Sequence, residues 1–345
     1  MKIVLITPEG PTSRTGNRVA ATRWARILRH LGHRVRVAAD YVEGSADAMV
    51  AVHAWRSAAP IERFKAKFPD RPVILQLSGT DIYHFIDSDP VPTLRSMELA
   101  DRLVALNDLA WRAVPKRLRG RLTVIHQSAA PLPYPRRPSR DAVVVSVIGH
   151  LRDVKDPLRA AAAARLLPAD SRVHVEQVGR AYTPEWANRA RTEMAANPRY
   201  RWRDDVPAAA VRRLLARSHA MVISSLSEGG ANVVSEAAVA GVPVLASRMD
   251  GNVGLLGVDY PGYFPVGDTK ALARLLQRLE REPRFPARLG KALARRARLF
   301  RPAREIASWR RLLADINRQR TAEQRVRTLA SHASRRMLGT VHGKV

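Results

Sequence analysis

Cysteine is missing from this 345-residue chain. Disulfides and thiolate metal sites are thereby excluded, and nothing in the sequence calls for an oxidising compartment. Long apolar runs are missing too. The opening run MKIVLIT ends at Pro8, too short for a secretory signal and with no small-residue cleavage site after it. No stretch approaches the ~20 apolar residues of a membrane span. The expectation is a cytoplasmic chain with no integral membrane association. Acid is scarce: 31 Asp+Glu stand against 59 Lys+Arg, a net charge of +28. From Arg284 onward there are seventeen Lys+Arg and three acids, so that segment alone carries +14. Attraction to polyanions, attraction to an anionic membrane surface and a general arginine bias each account for this charge. No zinc-finger spacing, RNP-like motif or Gly-Lys P-loop accompanies it, so no nucleic-acid partner is expected.

What is present points to two packed α/β units. Hydrophobic residues make up 46% of the chain, enough for two cores. An apolar run at residues 2–7 reads as a buried strand, and a glycine-containing loop follows it. Residues 18–31 show apolar residues at helical spacing, Gly32 ends that helix, and residues 34–38 form the next strand. This β–loop–α–β opening suits a nucleotide-type α/β domain. Residues 48–53, 72–77, 102–106 and 122–126 read as further strands, with a helix at 94–100. The stretch PLPYPRRP (131–138) has four prolines in eight residues and reads as a linker. A second series then begins with strands at 142–148, 173–178, 220–224 and 242–246. The expected division is a first domain 1–138 and a second domain 139–302. A helix at about 303–320 returns to the first domain, and a basic tail covers 321–345, with a frayed segment and a helix both compatible with its sequence.

The chemistry concentrates in SSLSEGGANVVSEAAVAGVPVLA (224–246). A strand ends at Ser225, a loop carries Glu228, Gly229 and Gly230, and a helix begins near Ala231 or Asn232. Glu228 lies in the loop and Glu236 about one helical turn inside. Both face the crevice at the carboxyl ends of the strands, where open α/β sheets bind ligands. The glycines admit close backbone approach, and the free N–H groups at the helix start suit a diphosphate. A carboxylate suits sugar hydroxyls because it accepts several hydrogen bonds. A second segment, VIGHLRDVKDP (147–157), follows the first strand of the second domain and offers Arg152 and Lys155 as paired cations. Two such cations stabilise charge on a departing nucleotide without a metal ion. Gly16 sits in the first loop beside Thr15, Asn17 and Arg18. Asp81, in QLSGTDIY (76–83), either binds an acceptor or caps the next helix.

The pattern S-E-G-G-x-N-V-x-S-E-A-x-x-A-G-V-P-V resembles the E-x7-E signature of the large family of retaining GT-B glycosyltransferases, which have two Rossmann-like domains facing a central cleft. The resemblance implies that Glu228 contacts the donor sugar and Glu236 the ribose. It also implies that the backbone from Gly229 through Gly230, Ala231 and Asn232 to Val233 lies at the phosphates and sugar. Gly149, Arg152 and Lys155 match the family's glycine, basic residue and lysine, and Gly16 its glycine loop. Many members carry a histidine where Ser78 stands, a departure that concerns the acceptor.

Further segments are similar to the selenosugar synthase family of selenoneine biosynthesis, across residues 1 to roughly 315. They are TGNRVAATRWA, LSGTDIY, VIHQSA, VIGHLRDVKDP, SEGGANVVSEA and RMDGNVGLLGVDYPGYFPVGD. That resemblance implies a UDP-sugar donor, UDP-N-acetylglucosamine or UDP-glucose, and selenophosphate as acceptor, with no cofactor and no metal. Such an anion is already deprotonated and needs a positive, glycine-lined pocket rather than a general base. Thr15, Asn17, Arg18, Ser78, Gly79, Thr80, Asp81, Gln127, Ser128 and Asn252 are the candidates to hold it. A lipid or saccharide acceptor at a membrane surface is the competing expectation.

Overall fold

The computed structural model describes residues 1–13 and 15–339, and the last six residues of the expected basic tail lie outside it. Two six-stranded sheets organise the chain. The first holds β1 (Lys2–Ile6), β2 (Arg34–Ala38), β3 (Ala48–Val52), β4 (Val73–Gln76), β5 (Arg102–Ala105) and β6 (Leu122–Val124). Its order is β2-β1-β3-β4-β5-β6. The second holds β7 (Val143–Ile148), β8 (Val173–Val178), β9 (Tyr200–Trp202), β10 (Ala220–Ile223), β11 (Val244–Ser247) and β12 (Tyr263–Phe264), in the order β12-β11-β10-β7-β8-β9. Every strand pair is parallel, including Ile3 opposite Val35 and Ala48. Parallel sheets need both faces covered, and the central strand β3 (AMVAV) is buried at every residue.

Helices cover those faces. In the first half they are α1 (Gly16–His30), α2 (Ala58–Lys67), the short α3 (Ile86–Ser88) and α4 (Pro90–Leu99). In the second half they are α5 (Arg159–Arg165), α6 (Pro184–Ala196), α7 (Ala208–Arg217), α8 (Asn232–Val239), α9 (Asp250–Leu256), α10 (Thr269–Arg281) and α11 (Arg284–Ala297). α1 buries Ala20, Ala21, Trp24, Ala25, Ile27 and Leu28 at helical spacing. It stops where Gly32 takes φ +86.

The last helix, α12 (Pro302–Gly339), leaves the second half and packs on the first. Its Trp309, Leu312, Leu313 and Ile316 share one core with Leu5, Trp24, Leu28 and Val50. The Trp24 and Trp309 rings meet edge to face with centroids 4.5 Å apart. The expected crossing helix is therefore present and extends well beyond residue 320. The Pro-rich stretch 131–138 holds neither helix nor strand. Arg136 fastens it to the second half through the carbonyls of Ser218 and Gly241. Among the described residues, no helix is long and apolar enough to cross a membrane.

Candidate active site

In the second sheet β7 lies between β8 and β10, so the chain reverses its direction of winding beside β7. A crevice opens at the carboxyl ends of strands at such a point. Two loops flank it. Residues 149–157 follow β7 and residues 224–231 follow β10. Leu226 N–H donates to the Val154 carbonyl at 2.9 Å, and Ser224 Oγ donates to the Asp156 carbonyl at 2.8 Å. These bonds fasten the loops together.

The tie brings the expected chemistry to one place. The Lys155 ammonium pairs with Glu228 Oε1, which also accepts from Ser225 Oγ at 2.7 Å. Glu228 is only 8% exposed, and a carboxylate so buried needs such partners. Gly149, Lys155, Ser225, Glu228 and Val233 line a small cavity here. The Arg152 guanidinium stands 5.4 Å from the centre of the Tyr182 ring. Its Nε is buried with no hydrogen-bond partner, a spare donor of the kind an anion satisfies.

Glu236 lies one turn inside α8, as expected. Burial raises its pKa, while the positive charges of Arg23 and Arg212 act in the opposite sense. Ala231 is the extended residue before α8, and Asn232 begins the helix.

Gly229 and Gly230 have a role that the sequence did not expose. A Cβ on Gly229 would fall 2.3 Å from the Ser78 carbonyl oxygen, and one on Gly230 2.3 Å from Leu106 Cβ. Both neighbours belong to the first half. Gly79, at φ +120, is pressed against Gly229 N from the other side. Asn107 Nδ2 donates to the Gly229 carbonyl at 2.7 Å. The paired glycines thus let two backbones approach across the cleft, besides leaving room for a ligand.

The first-half candidates divide into two groups. Thr15, Gly16, Asn17 and Arg18 form the partly open start of α1, and Gly16 faces the Asn232 amide at about contact distance. The others are occupied by the protein itself. Asp81 is fully buried and accepts from the N–H groups of Ala54, Ser78, Gly79 and Ile82 at 2.7 to 3.0 Å. Beside the two roles expected of it, acceptor ligand and helix cap, Asp81 anchors its own loop and ties it to the loop after β3. Gln76 Nε2 donates to Ser78 Oγ, and Thr80 Oγ1 meets His53 Nε2 at 2.9 Å.

Gln127 Oε1 accepts from Arg23, and Ser128 donates through N–H and Oγ to Glu305 Oε2. Asn252 is fully buried and gives its amide N–H groups to Ser247. Gln127 and Ser128 therefore brace the walls, whereas Asn252 keeps a buried Oδ1 with no hydrogen-bond partner.

Three residues escaped the sequence reading. Arg23 lies seven positions after Gly16, on the same face of α1, and that spacing was the available signal. Asn107, just past β5, is buried against Gly229 and Gly254. His53, just past β3, adopts φ +77 with its ring buried, and burial lowers its pKa although Asp81 acts to raise it. Neither of the last two sits in a motif.

Comparison with known proteins is consistent with this geometry. Residues 135–296 match the family model of glycosyl transferases, group 1. That match covers the β7 and β10 loops, and with them Arg152, Lys155, Glu228 and Glu236.

Solved structures share the fold over about nine-tenths of the chain. The Anabaena protein HepE, solved with UDP, superimposes with a TM-score of 0.73 at 16% identity, over 91% of this chain and 100% of that one. Sucrose-phosphate synthase from Thermosynechococcus elongatus gives 0.73 at 16% identity, over 92% and 99%. A glycosyltransferase from Rickettsia africae gives 0.68 at 12% identity, over 91% and 98%. The fold is GT-B. No curated protein sequence matches the chain.

Proposed function

We propose that this protein is a glycosyltransferase that takes a sugar from a UDP-sugar and passes it to selenophosphate, forming a 1-selenosugar. The Lys155–Glu228 pair, set at the crevice beside the spare Nε of Arg152, is the observation that carries the donor half of this reading. HepE was also solved with UDP-glucose. A sugar diphosphate entering here would draw the Lys155 ammonium away from Glu228. The carboxylate would then be free for the sugar hydroxyls and the ammonium for the diphosphate.

The acceptor half rests on the similarity to selenosugar synthases and on the chemistry of the nucleophile. The selenium of selenophosphate attacks the anomeric carbon, and the bond from that carbon to the diphosphate oxygen breaks. UDP departs with the bonding pair. Arg152, Lys155 and the N–H groups at the start of α8 stabilise its charge in place of a metal ion. Water then cleaves the P–Se bond and releases phosphate. The open start of α1, from Thr15 to Arg18, offers backbone N–H groups and one guanidinium to the anion. Ser78 stands where a general base would serve a neutral acceptor.

A lipid or saccharide acceptor at an anionic surface is the second reading. It is favoured by α11, whose outer face carries Arg284, Arg288, Lys291 and Arg295 with no acid in the helix. Mass spectrometry of the protein with UDP-N-acetylglucosamine or UDP-glucose, with and without selenophosphate, decides between them. A selenium isotope pattern in a new sugar product, with UDP released, is the expected result. UDP release that requires a lipid or saccharide instead would move the acceptor to the second reading.

A further inference from the structure

We propose that Arg23 is a cross-cleft positioning residue. From the first half it orients the Asn232 amide so that its NH2 faces the donor diphosphate, and it ties that orientation to the crossing helix. The proposal rests on the reading of the crevice as a nucleoside-diphosphate site.

Gly16 and Arg23 stand seven residues apart on one face of α1, and that face looks at α8. Arg23 Nη1 donates to Asn232 Oδ1 at 3.0 Å. A guanidinium has donors only, so the atom it faces is the amide oxygen. The Asn232 NH2 is consequently turned the other way, to Gly16, where Nδ2 lies 4.0 Å from the point a Cβ would occupy. Gly16 thus leaves space directly beside an oriented N–H donor at a helix start, a place suited to an anionic oxygen.

The remaining donors of Arg23 hold it in place. Nη2 donates to Gln127 Oε1 at 2.5 Å and Nε to Glu305 Oε1 at 3.2 Å. Glu305 belongs to α12 and is fully buried. Its carboxylate also accepts from Trp24 Nε1 at 2.7 Å, from Ser128 N–H at 2.9 Å and from Ser128 Oγ at 2.5 Å. One side chain therefore joins α1, the end of the first sheet, the crossing helix and the donor helix. Its charge also faces Glu236, one turn further along α8, and favours the ionised form that a ribose hydroxyl would bond. Among the described residues no other hydrogen bond orients the Asn232 amide, so the effect of Arg23 on the donor should pass through Asn232.

The test is a double-mutant cycle on Arg23→Met and Asn232→Ala. UDP dissociation constants are measured by calorimetry, with donor KM, kcat and melting temperature beside them. Arg23→Met keeps the apolar stem and removes every donor. Each single variant is expected to weaken UDP binding about tenfold or more, the scale of one charge-assisted hydrogen bond. Donor KM should rise more than kcat falls. The double variant should be no weaker than the worse single variant. Arg23→Lys, with a single cationic centre, should recover part of the affinity.

A lower melting temperature in Arg23→Met with unchanged UDP affinity would overturn the proposal, leaving Arg23 as an anchor for Glu305 alone. Fully additive losses would overturn it too, since Arg23 would then not act through Asn232. If the unaltered protein bound none of UDP, GDP and ADP, the donor-site reading itself would fall and take the proposal with it. Normal binding by the unaltered protein together with an indifferent Arg23→Met removes the proposal only.

Discussion

The two halves of the molecule have closely related topologies and use their loop side chains differently. Counted from its own first strand, the second sheet runs 3-2-1-4-5-6, and the first runs 2-1-3-4-5-6. In the second half the polar groups of the two crevice loops converge on a site. Lys155, Ser225 and Glu228 meet one another, and Arg152 keeps a buried donor unused. In the first half the corresponding groups are consumed by the scaffold. Asp81 holds its own loop, Thr80 holds His53, and Ser128 holds Glu305. Under the proposed reading, a half that grips a diphosphate retains reactive side chains, and a half that receives a small anion presents backbone and glycine instead.

Replacing groups on either side would break or sharpen this contrast. The largest effect is expected from Glu228→Ala. Transfer should fall about a thousandfold in kcat, the scale of losing a preorganised electrostatic contact, while UDP still binds. Surviving transfer would remove Glu228 from the chemistry. Asp81→Ala should instead appear in stability. Several buried N–H groups would lose their acceptor, costing about 3 kcal/mol in a denaturant titration. A stable Asp81→Ala protein with a raised acceptor KM would return that residue to the acceptor site and dissolve the contrast.

Gly229→Ala tests the seam between the halves. Its methyl group would meet the Ser78 carbonyl, so the halves must part by an ångström or more. A misplacement of that size is worth up to about a hundredfold in kcat/KM, and small-angle scattering should record the opening. Glu305→Gln keeps the shape of the anchor and removes its charge. About 1 to 2 kcal/mol of stability should be lost through weakened bonds to Arg23 and Trp24, read as a lower midpoint in urea.

The smallest effect concerns pH. Burial pushes the Asp108 carboxyl up, but hydrogen bonds from His126 and Arg296 outweigh that and bring it down to about 2. Its folded value lies below the unfolded one, so its stabilisation is complete above about pH 4 and is lost as pH falls towards 2. Asp108→Asn should flatten acid unfolding in that window. An unaltered acid limb would show that the pairs of Asp108 with His126 and, across the seam, with Arg296 contribute nothing to stability.

The same contrast governs what was legible in the sequence. The proposed donor motif is local: Glu228 and Glu236 are eight positions apart on one strand–loop–helix unit, and their geometry follows from that unit alone. Lys155 was legible from its place in the loop after the first strand of the second domain and from the resemblance of that loop to the family pattern. Ten of the twelve strands were visible because buried parallel strands are continuous apolar runs; β9 (Tyr200–Trp202) and β12 (Tyr263–Phe264), the short edge strands of the second sheet, were missed because two or three residues make no such run. The first-half contacts are not legible in the sequence because their partners are distant in it. Ser128 finds Glu305 177 positions away, and Arg23 finds Asn232 209 positions away. No spacing rule reports such pairs. Asp81 shows a different limit, since a residue with cap and ligand roles open to it shows its choice only when its neighbours' N–H groups are placed.

The return of α12 has a consequence for how the molecule is made. Trp309, Leu312, Leu313 and Ile316 complete a core whose other members include Leu5, Trp24 and Val50. On the ribosome those early residues emerge long before the helix that covers them. Through most of synthesis the first sheet has one apolar face waiting, while the second half, whose main core is drawn from residues 143–300, can close as soon as it emerges. Folding order should therefore run against the order of translation, with the later half finished first. A chaperone that shields exposed apolar surface would be needed most by the part of the chain that appeared earliest.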